Sequence, residues 1–260
     1  MAATELEAGS RPGLGRRPDG FLPFHAGDRN FFLAAAAAIW IAVLVGFGVD
    51  VAFRVLTHAP PFPLIVHVHA VVFVGWVTLF TVQVALIRAR RPEVHRRLGF
   101  AMIGLAVVMI GVGPATAIIV DRLMFGTPAG DPVFLAVQLT DIVAFAGLVG
   151  AAVVLRGDSP AHKRLVLLAT LYITDAAFGR LTLPLLGPRL PPGLLSSWFV
   201  VYAGPDLLML AIGGYDLVTR RRLHPAYVFG MAYVLGIQVT ASGLLYAPAW
   251  RSFAPLIVGR

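Results

Sequence analysis

The segment Pro92-Glu93-Val94-His95-Arg96-Arg97-Leu98 and its near copy Pro160-Ala161-His162-Lys163-Arg164-Leu165 decide the fold of this chain. Each is a short basic stretch between two long apolar runs, which is the pattern of a loop joining two membrane-spanning helices. Because both loops have the same character, they are expected on the same side of a membrane, so that the two hairpins form a parallel repeat. Residues 220–225 resemble a degenerate third copy.

Seven segments are long and apolar enough to cross a hydrocarbon core of about 30 Å, which takes about 20 helical residues. The composition agrees, because 58% of the 260 residues are hydrophobic and only 13% are charged, against about 25% charged residues in soluble domains. The sequence therefore predicts an all-α integral membrane protein, a seven-helix bundle built from one helix and three hairpins. The predicted spans are Phe31 to Val49, Leu64 to Ile87, Leu98 to Val120, Val133 to Leu155, Leu165 to Leu186, Leu194 to Val218 and Ala226 to Tyr246.

The basic residues segregate between the two ends of the predicted bundle. Fifteen of the 21 lysine and arginine residues lie in the amino-terminal segment or in the loops 88–97, 156–164 and 220–222, and six lie elsewhere. Since loops rich in lysine and arginine face the cytoplasm, the amino terminus is expected inside and the carboxyl terminus outside. The net charge of +8 is thus explained by topology and by membrane lipid, and a nucleic-acid partner is not expected.

Three regions are predicted along the chain. Residues 1–28 form a flexible cytoplasmic tail rich in glycine, proline and charge, without the apolar core of a cleavable signal peptide. Residues 29–250 form the transmembrane domain, and residues 251–260 form a short outside tail.

Polar and aromatic side chains recur at helical spacing inside the spans. In span two, His69, Phe73 and Trp76 share one stripe with Gln83, and other spans carry similar stripes. Each stripe is expected to face the interior of the bundle, where it forms an outward-facing polar cavity or proton path. The predicted cavity residues are Trp76, Gln83, Gln138, Asp141, Tyr172, Asp175, Arg180, Tyr202, Asp206 and Gln238.

Asp175 and Asp206 fall near the middle of the bilayer at about 1.5 Å per helical residue. A charged side chain there costs about 2.5 to 3.5 kcal/mol even on insertion scales. Two interpretations stay open. In one, Arg180 pairs with a carboxylate and Gln138 or a tyrosine hydroxyl satisfies the rest, giving a structural network. In the other, the carboxylates line a binding pocket or a proton path.

Histidines are the candidate ligands for a metal or cofactor. His67 and His69 point about 200° apart on an ideal helix, so one ion requires further partners, and the candidate metal set is His67, His69, Asp141 and Asp206. His95 and His162 open helices at the same membrane face, and with His69 they are the candidate cofactor ligands for haem b or a transition metal. The alternative is that His95 and His162, with their basic neighbours, contact lipid phosphates.

Several functions are excluded by what the sequence lacks. Without cysteine there is no thiolate metal site, iron-sulfur cluster or cysteine nucleophile. Lys163 is the only lysine and lies in a loop, so no lysine in a span can hold retinal. No nucleotide-binding or serine-hydrolase motif occurs.

The His95-Arg96-Arg97-Leu98-Gly99 loop, the run from His67 to Trp76, Gln83, and the loop from His162 to Leu165 resemble those of a broad set of uncharacterised bacterial multi-pass inner-membrane proteins. The resemblance covers spans two to seven. The chain is also similar to small membrane proteins that handle haem around respiratory oxidases and ferric reductases, which use histidines at helix ends and basic loops. This likeness implies a setting in the bacterial cytoplasmic membrane.

Three function classes stay open on the sequence. The first is a membrane protein that binds haem or a metal ion in a redox or respiratory-assembly role. The second is a proton-coupled transporter of a small-molecule ligand that uses the intramembrane aspartates. The third is a structural or assembly subunit. The sequence names neither a substrate nor a reaction.

Overall fold

The computed structural model describes residues 21–127 and 130–260. Within these ranges the chain forms nine α-helices, two short 3₁₀ turns and no strand. The helices are α1 (Asp28–Leu56), α2 (Leu64–Arg88), α3 (Pro92–Met124), α4 (Leu135–Val154), α5 (Ser159–Tyr172), α6 (Asp175–Leu186), α7 (Leu194–Arg220), α8 (Pro225–Tyr246) and α9 (Pro248–Ile257).

The predicted seven-helix membrane bundle is confirmed. Seven helical stretches of the described residues are long and apolar enough to span a membrane, and the fifth combines α5 and α6. Many large apolar side chains on their outer faces are exposed, among them Leu56, Val107 and Phe229. Such a surface is unfavourable in water and favourable in lipid, so the bilayer is the solvent for this fold.

The helices pair as the repeated loops predict. α2 packs on α3, α4 packs on α5, and α7 contacts α8. The α4 and α5 helices occupy the centre of the bundle, where Phe145 and Leu168 are fully buried. Trp76 of α2 reaches into this core, and its indole N–H donates to the Thr170 hydroxyl at 3.2 Å.

The fifth span is broken, whereas the sequence predicts one continuous helix from Leu165 to Leu186. The α5 helix ends at Tyr172 and α6 begins at Asp175. The Thr174 hydroxyl donates to the carbonyl of Leu171 at 2.5 Å. The same carbonyl accepts the backbone N–H of Thr174 at 3.0 Å, so a tight turn follows the end of α5. The break brings Asp175 to the start of a new helix in the interior of the bundle.

The α6 helix is held tightly between α1 and α7. A Cβ atom added to Gly46 of α1 would overlap the carbonyl oxygen of Ala177, and one added to Gly204 of α7 would overlap the ring of Phe178. Glycine at these two positions therefore permits the backbones to approach closely. Because α6 begins at Asp175, this packing also fixes the position of that carboxyl group.

Both ends of the described chain are ordered parts of the bundle. Residues 1–20 of the predicted flexible tail lie outside the described residues, but Phe21 is buried and residues 21–27 lead directly into α1. The predicted outside tail contains most of α9, whose Trp250 donates to the carbonyl of Val133 at 2.8 Å. Ala254 and Val258 are buried, so α9 packs along the end of the bundle.

Candidate functional site

Two carboxyl groups meet at the break in the fifth span. Asp175, the first residue of α6, is 4% exposed, and its carboxyl interacts directly with that of Asp141 on α4. The Tyr172 hydroxyl lies beside the same Asp141 carboxyl. Within residues 21–127 and 130–260, one oxygen of Asp141 and the Tyr172 hydroxyl have no hydrogen bond of ordinary geometry. The pair therefore lies in the interior of the bundle with polar capacity still unused.

A pair of stacked tyrosines extends this group towards α7. The rings of Tyr172 and Tyr202 are nearly parallel, at 14°, with centroids 6.1 Å apart. Both side chains are fully buried, and neither hydroxyl has a hydrogen-bond partner in the described residues. Leaving a buried hydroxyl unsatisfied costs about 1 to 3 kcal/mol. Two such groups side by side mark a place where a bound molecule, water or proton would be stabilised.

Asp206 continues the polar group on α7 and is tied to α8. Its Oδ1 accepts a hydrogen bond of 2.7 Å from the amide of Gln238, whose own oxygen accepts from the Trp198 indole at 3.0 Å. Gln238 is fully buried and Asp206 nearly so. Asp206 lies one helical turn after Tyr202 and interacts with it electrostatically. Its carboxyl thus joins the tyrosine pair to the far side of the bundle.

We call these six residues the central cluster. It crosses the bundle from α4 to α8 through the helix break, and all six of its residues belong to the cavity set predicted from the sequence. Its members are Asp141, Tyr172, Asp175, Tyr202, Asp206 and Gln238.

Arg180 forms no ion pair with any of the three aspartates of the central cluster in the described residues. The interpretation in which Arg180 neutralises one of them is therefore wrong. Its side chain is 39% exposed and lies 3.5 Å from the carboxylate of Asp50 on α1. The guanidinium also lies over the ring of Phe47, 4.3 Å from its centroid. Arg180 acts on Asp175 only as a neighbouring charge.

The remaining predicted cavity residues lie outside the central cluster. Trp76 is buried against Phe145 in the core. Gln83 is buried near the basic loops, where its amide donates to the carbonyl of His95 at 3.2 Å. Gln138 precedes Asp141 by three residues on α4, and its oxygen has no partner in the described part of the chain.

The predicted metal set is not brought together. Among the described residues, no three histidine, aspartate or glutamate side chains are arranged to hold an ion. The rings of His69 and Phe73 are stacked with centroids 3.9 Å apart, and His69 interacts electrostatically with Arg180. His67 is exposed beside Phe62. The reason is geometric, since residues two apart on a regular helix point in different directions.

His95 and His162 do come together, as the repeat predicts. Their ring centroids are 6.4 Å apart and the ring planes are at 88°. The Nδ1 atom of His162 lies 2.9 Å from the carbonyl oxygen of Ala152, and Nδ1 of His95 is buried without a partner. Their proximity joins the first turn of α3 to the first turn of α5.

Sequence reasoning missed a buried ion-pair network at the basic end of the bundle, the end that carries the three basic loops. The network contains three cations and two carboxylates, contributed by α1, α5 and α7. It is formed by Asp28, Lys163, Arg164, Asp216 and Arg220. The interpretation in which the basic neighbours of His162 contact lipid phosphates is wrong for Lys163 and Arg164, which turn inward to Asp28 and Asp216. The one sequence signal is Asp216, near the end of the sixth predicted span and four residues before Arg220.

An apolar cavity of about 190 Å³ lies between α1, α5 and α7. Its walls are alanine, leucine, isoleucine and phenylalanine side chains, including Ala35, Leu171 and Leu208, and it contains no residue of the predicted polar cavity. The lining of this cavity is apolar, so its chemistry differs from that of the polar central cluster.

Comparison of the chain with protein-family models, with curated proteins and with solved structures finds no match.

Proposed function

We propose that this protein is a proton-coupled membrane transporter of a small solute, with the central cluster as its site. The observation that carries the proposal is the contact between the Asp141 and Asp175 carboxyls at the break in the fifth span. Two carboxyls in contact within a bundle surrounded by lipid cannot both be charged without a large free-energy cost. A proton shared between them lowers that cost, so the pair is suited to taking up and releasing a proton.

The broken helix supports the same proposal. Membrane transporters commonly form their sites where a spanning helix is interrupted, because the freed backbone groups and helix ends can face a ligand. Irregular backbone at membrane depth is tolerated where it is buried in protein or lines a cavity. Here the interruption coincides with Asp175, and the unsatisfied hydroxyls of Tyr172 and Tyr202 lie next to it.

The charges of the central cluster favour a proton or a cationic solute. The cluster contains three carboxyl groups. Arg180, whose charge acts on Asp175, is itself paired with Asp50. An anion could accept from the tyrosine hydroxyls, but it would be repelled by any ionised carboxylate of the cluster. A small amine or an inorganic cation would gain from the carboxyls and from the faces of the two tyrosines.

A redox or haem-related role is the second candidate. The observation in its favour is the contact of His95 with His162, since two imidazoles are a common ligand pair for iron. The proton-coupled role is preferred because it uses six predicted residues that lie together. Both proposals place the protein in the bacterial cytoplasmic membrane, with the basic end facing the cytoplasm.

Proton movement in proteoliposomes tests the transport proposal. Purified protein is reconstituted with an internal pH dye, a potassium diffusion potential is applied, and candidate amines and alkali cations are added in turn. We expect solute-dependent pH change with the wild type, and at least a tenfold slower change with Asp175→Asn and with Asp141→Asn. Glu93→Gln, which replaces an exposed carboxylate in the first turn of α3, is the control and should retain the wild-type rate.

Two outcomes would overturn the transport proposal. The first is solute-dependent proton movement that persists in the Asp141→Asn, Asp175→Asn double variant. The second is a folded, reconstituted wild type that moves no proton with any solute tested, while the double variant differs from it only in thermal stability. The second outcome would leave the structural-subunit class.

A further inference from the structure

Two histidines from the repeated loops are held with their rings close together at the basic end of the bundle. His95 lies in the first turn of α3 and His162 in the first turn of α5, and both are half-buried. Their centroids are 6.4 Å apart and their planes nearly perpendicular. The proposed transport function uses neither side chain.

The hydrogen bond of His162 leaves its other nitrogen able to bind a cation. The carbonyl oxygen of Ala152 can only accept, so the Nδ1 atom 2.9 Å from it carries the proton. The lone pair of His162 is then on Nε2. Histidines that bind metals usually donate their second ring nitrogen to a carbonyl or carboxylate in this way, which fixes the tautomer and the ring orientation.

Two polar atoms of this group have no hydrogen-bond partner among the described residues. One is Nδ1 of His95, which is buried. Gln83 uses its amide nitrogen to bind the carbonyl of His95 at 3.2 Å, and its amide oxygen is also buried without a partner. An unsatisfied buried group costs about 1 to 3 kcal/mol, and a cation bound by either atom would offset that cost.

We propose that His95, His162 and Gln83 bind one divalent transition-metal ion of the zinc or copper class. Imidazole nitrogens suit these ions, and an amide oxygen and water can complete the ligand set. With metal–nitrogen distances of about 2.0 to 2.1 Å, two imidazoles on one ion have centroids at most about 6.4 Å apart. The observed 6.4 Å lies at that limit. That limit corresponds to a linear nitrogen–metal–nitrogen arrangement, and a tetrahedral site, with centroids roughly 5.2 Å apart, requires the two rings to approach by about 1 Å on binding.

The charges around the histidine pair permit a dication. Lys163 and Arg164 follow His162 directly, but they are paired with Asp28 and Asp216. Arg96 is exposed, so solvent screens part of its charge, and the remainder acts on His95. The ion would join the start of α3 to the start of α5 and so connect the two repeated hairpins.

Binding of zinc alone to the full-length protein in detergent tests the site. The protein is stripped with chelator, equilibrated with Zn²⁺ at neutral pH and assayed for bound metal and for dissociation constant by calorimetry. We expect one ion per chain in the wild type, with affinity at least tenfold weaker in His95→Ala and in His162→Ala. The double variant should lose the site. His67→Ala is the control, because this exposed histidine lies on α2, and it should bind as the wild type does.

Thermal unfolding separates a lost site from a lost fold. Saturating zinc should raise the midpoint of the wild type and of His67→Ala, because an ion that binds only the folded state stabilises it. It should leave the midpoint of a folded double variant unchanged. Gln83→Leu should weaken binding by less than either histidine variant.

Three results would overturn the inference: no zinc or copper bound at 1:1 stoichiometry to the folded wild type, undiminished binding in the double variant, or a haem absorption band that disappears in His95→Ala. The last result would assign the two imidazoles to porphyrin iron instead of a free ion. None of these readouts involves proton or solute movement, so the metal site and the transport proposal stand or fall separately.

Discussion

Arg164 and Asp216 form a bidentate ion pair that joins α5 to α7 in the interior of the protein. The Nε atom of Arg164 donates to Oδ2 of Asp216 at 2.6 Å, and its Nη2 atom donates to Oδ1. The two side chains are 2% and 0% exposed. Since neither group can be solvated when its partner is absent, this pair fixes how the two helices pack at the basic end of the bundle.

Removal of one member of this pair is expected to destabilise the protein strongly. Arg164→Met leaves the Asp216 carboxylate buried with only the longer contact to Arg220, at 3.5 Å. The expected loss is about 3 to 5 kcal/mol of unfolding free energy. Unfolding in mixed detergent, followed by helical circular dichroism, measures it. Arg156→Met removes an exposed arginine and should change stability by less than about 0.5 kcal/mol. Equal effects of the two variants would contradict the prediction.

The close approach of the α1 and α6 backbones at Gly46 makes this position sensitive to substitution. Gly46→Ala places a Cβ against the backbone of Ala177, which cannot move aside as a side chain can, whereas a Cβ at Gly48 meets open space. Gly46→Ala should therefore cost about 1 to 3 kcal/mol, as overpacking does. Gly48→Ala, a control on the same helix, should be neutral or stabilising because alanine has the higher helix propensity. The midpoints of thermal unfolding distinguish the two.

The same substitution has a functional consequence under the transport proposal. Displacement of α6 would move Asp175, so Gly46→Ala should slow proton movement even at temperatures where the variant is folded. Gly48→Ala should transport as the wild type does. A folded Gly46→Ala protein with full transport would show that the position of α6 is not critical.

The seven spans and the three hairpins were predictable because they follow from properties that the sequence displays directly. Apolar length sets where a helix can cross a bilayer, and the distribution of basic residues sets its orientation. The members of the central cluster could also be predicted from the sequence. Helical spacing places Tyr202 and Asp206 on one stripe, and Tyr172 lies three residues before Asp175 in span five.

The break in the fifth span and the basic-end network were not predictable in the same way. In the run from Leu165 to Leu186, Thr170 bonds back to a carbonyl inside the unbroken α5 helix and Thr174 does so at the break, so this type of residue does not by itself mark where the helix ends. Lys163 and Arg164 look like other loop cations in sequence. They turn inward because Asp28 and Asp216, far away in the chain, lie opposite them in the fold.

Gln238, which is buried, and Gln138, which is half-buried, should respond differently to replacement by leucine. Gln238 accepts from Trp198 and donates to Asp206, so Gln238→Leu leaves both groups without a partner. The expected loss is about 1 to 3 kcal/mol. Gln138 has an oxygen with no partner in the described part of the chain, and Gln138→Leu should be close to neutral. Chemical unfolding of both variants measures the difference, and a larger effect at Gln138 would contradict the assigned hydrogen bonds.

The orientation of the bundle can be tested residue by residue because the chain has no cysteine of its own. Gly157→Cys and Glu93→Cys place single thiols in exposed positions at the basic end, and Ser252→Cys places one on exposed α9 at the opposite end. The positive-inside rule puts the basic end in the cytoplasm. A membrane-impermeant maleimide should therefore label only Ser252→Cys in intact spheroplasts and all three after lysis. Labelling of Gly157→Cys and Glu93→Cys in intact spheroplasts, with Ser252→Cys protected, would show that the protein has the opposite orientation. The proposed proton movement would then run in the opposite direction.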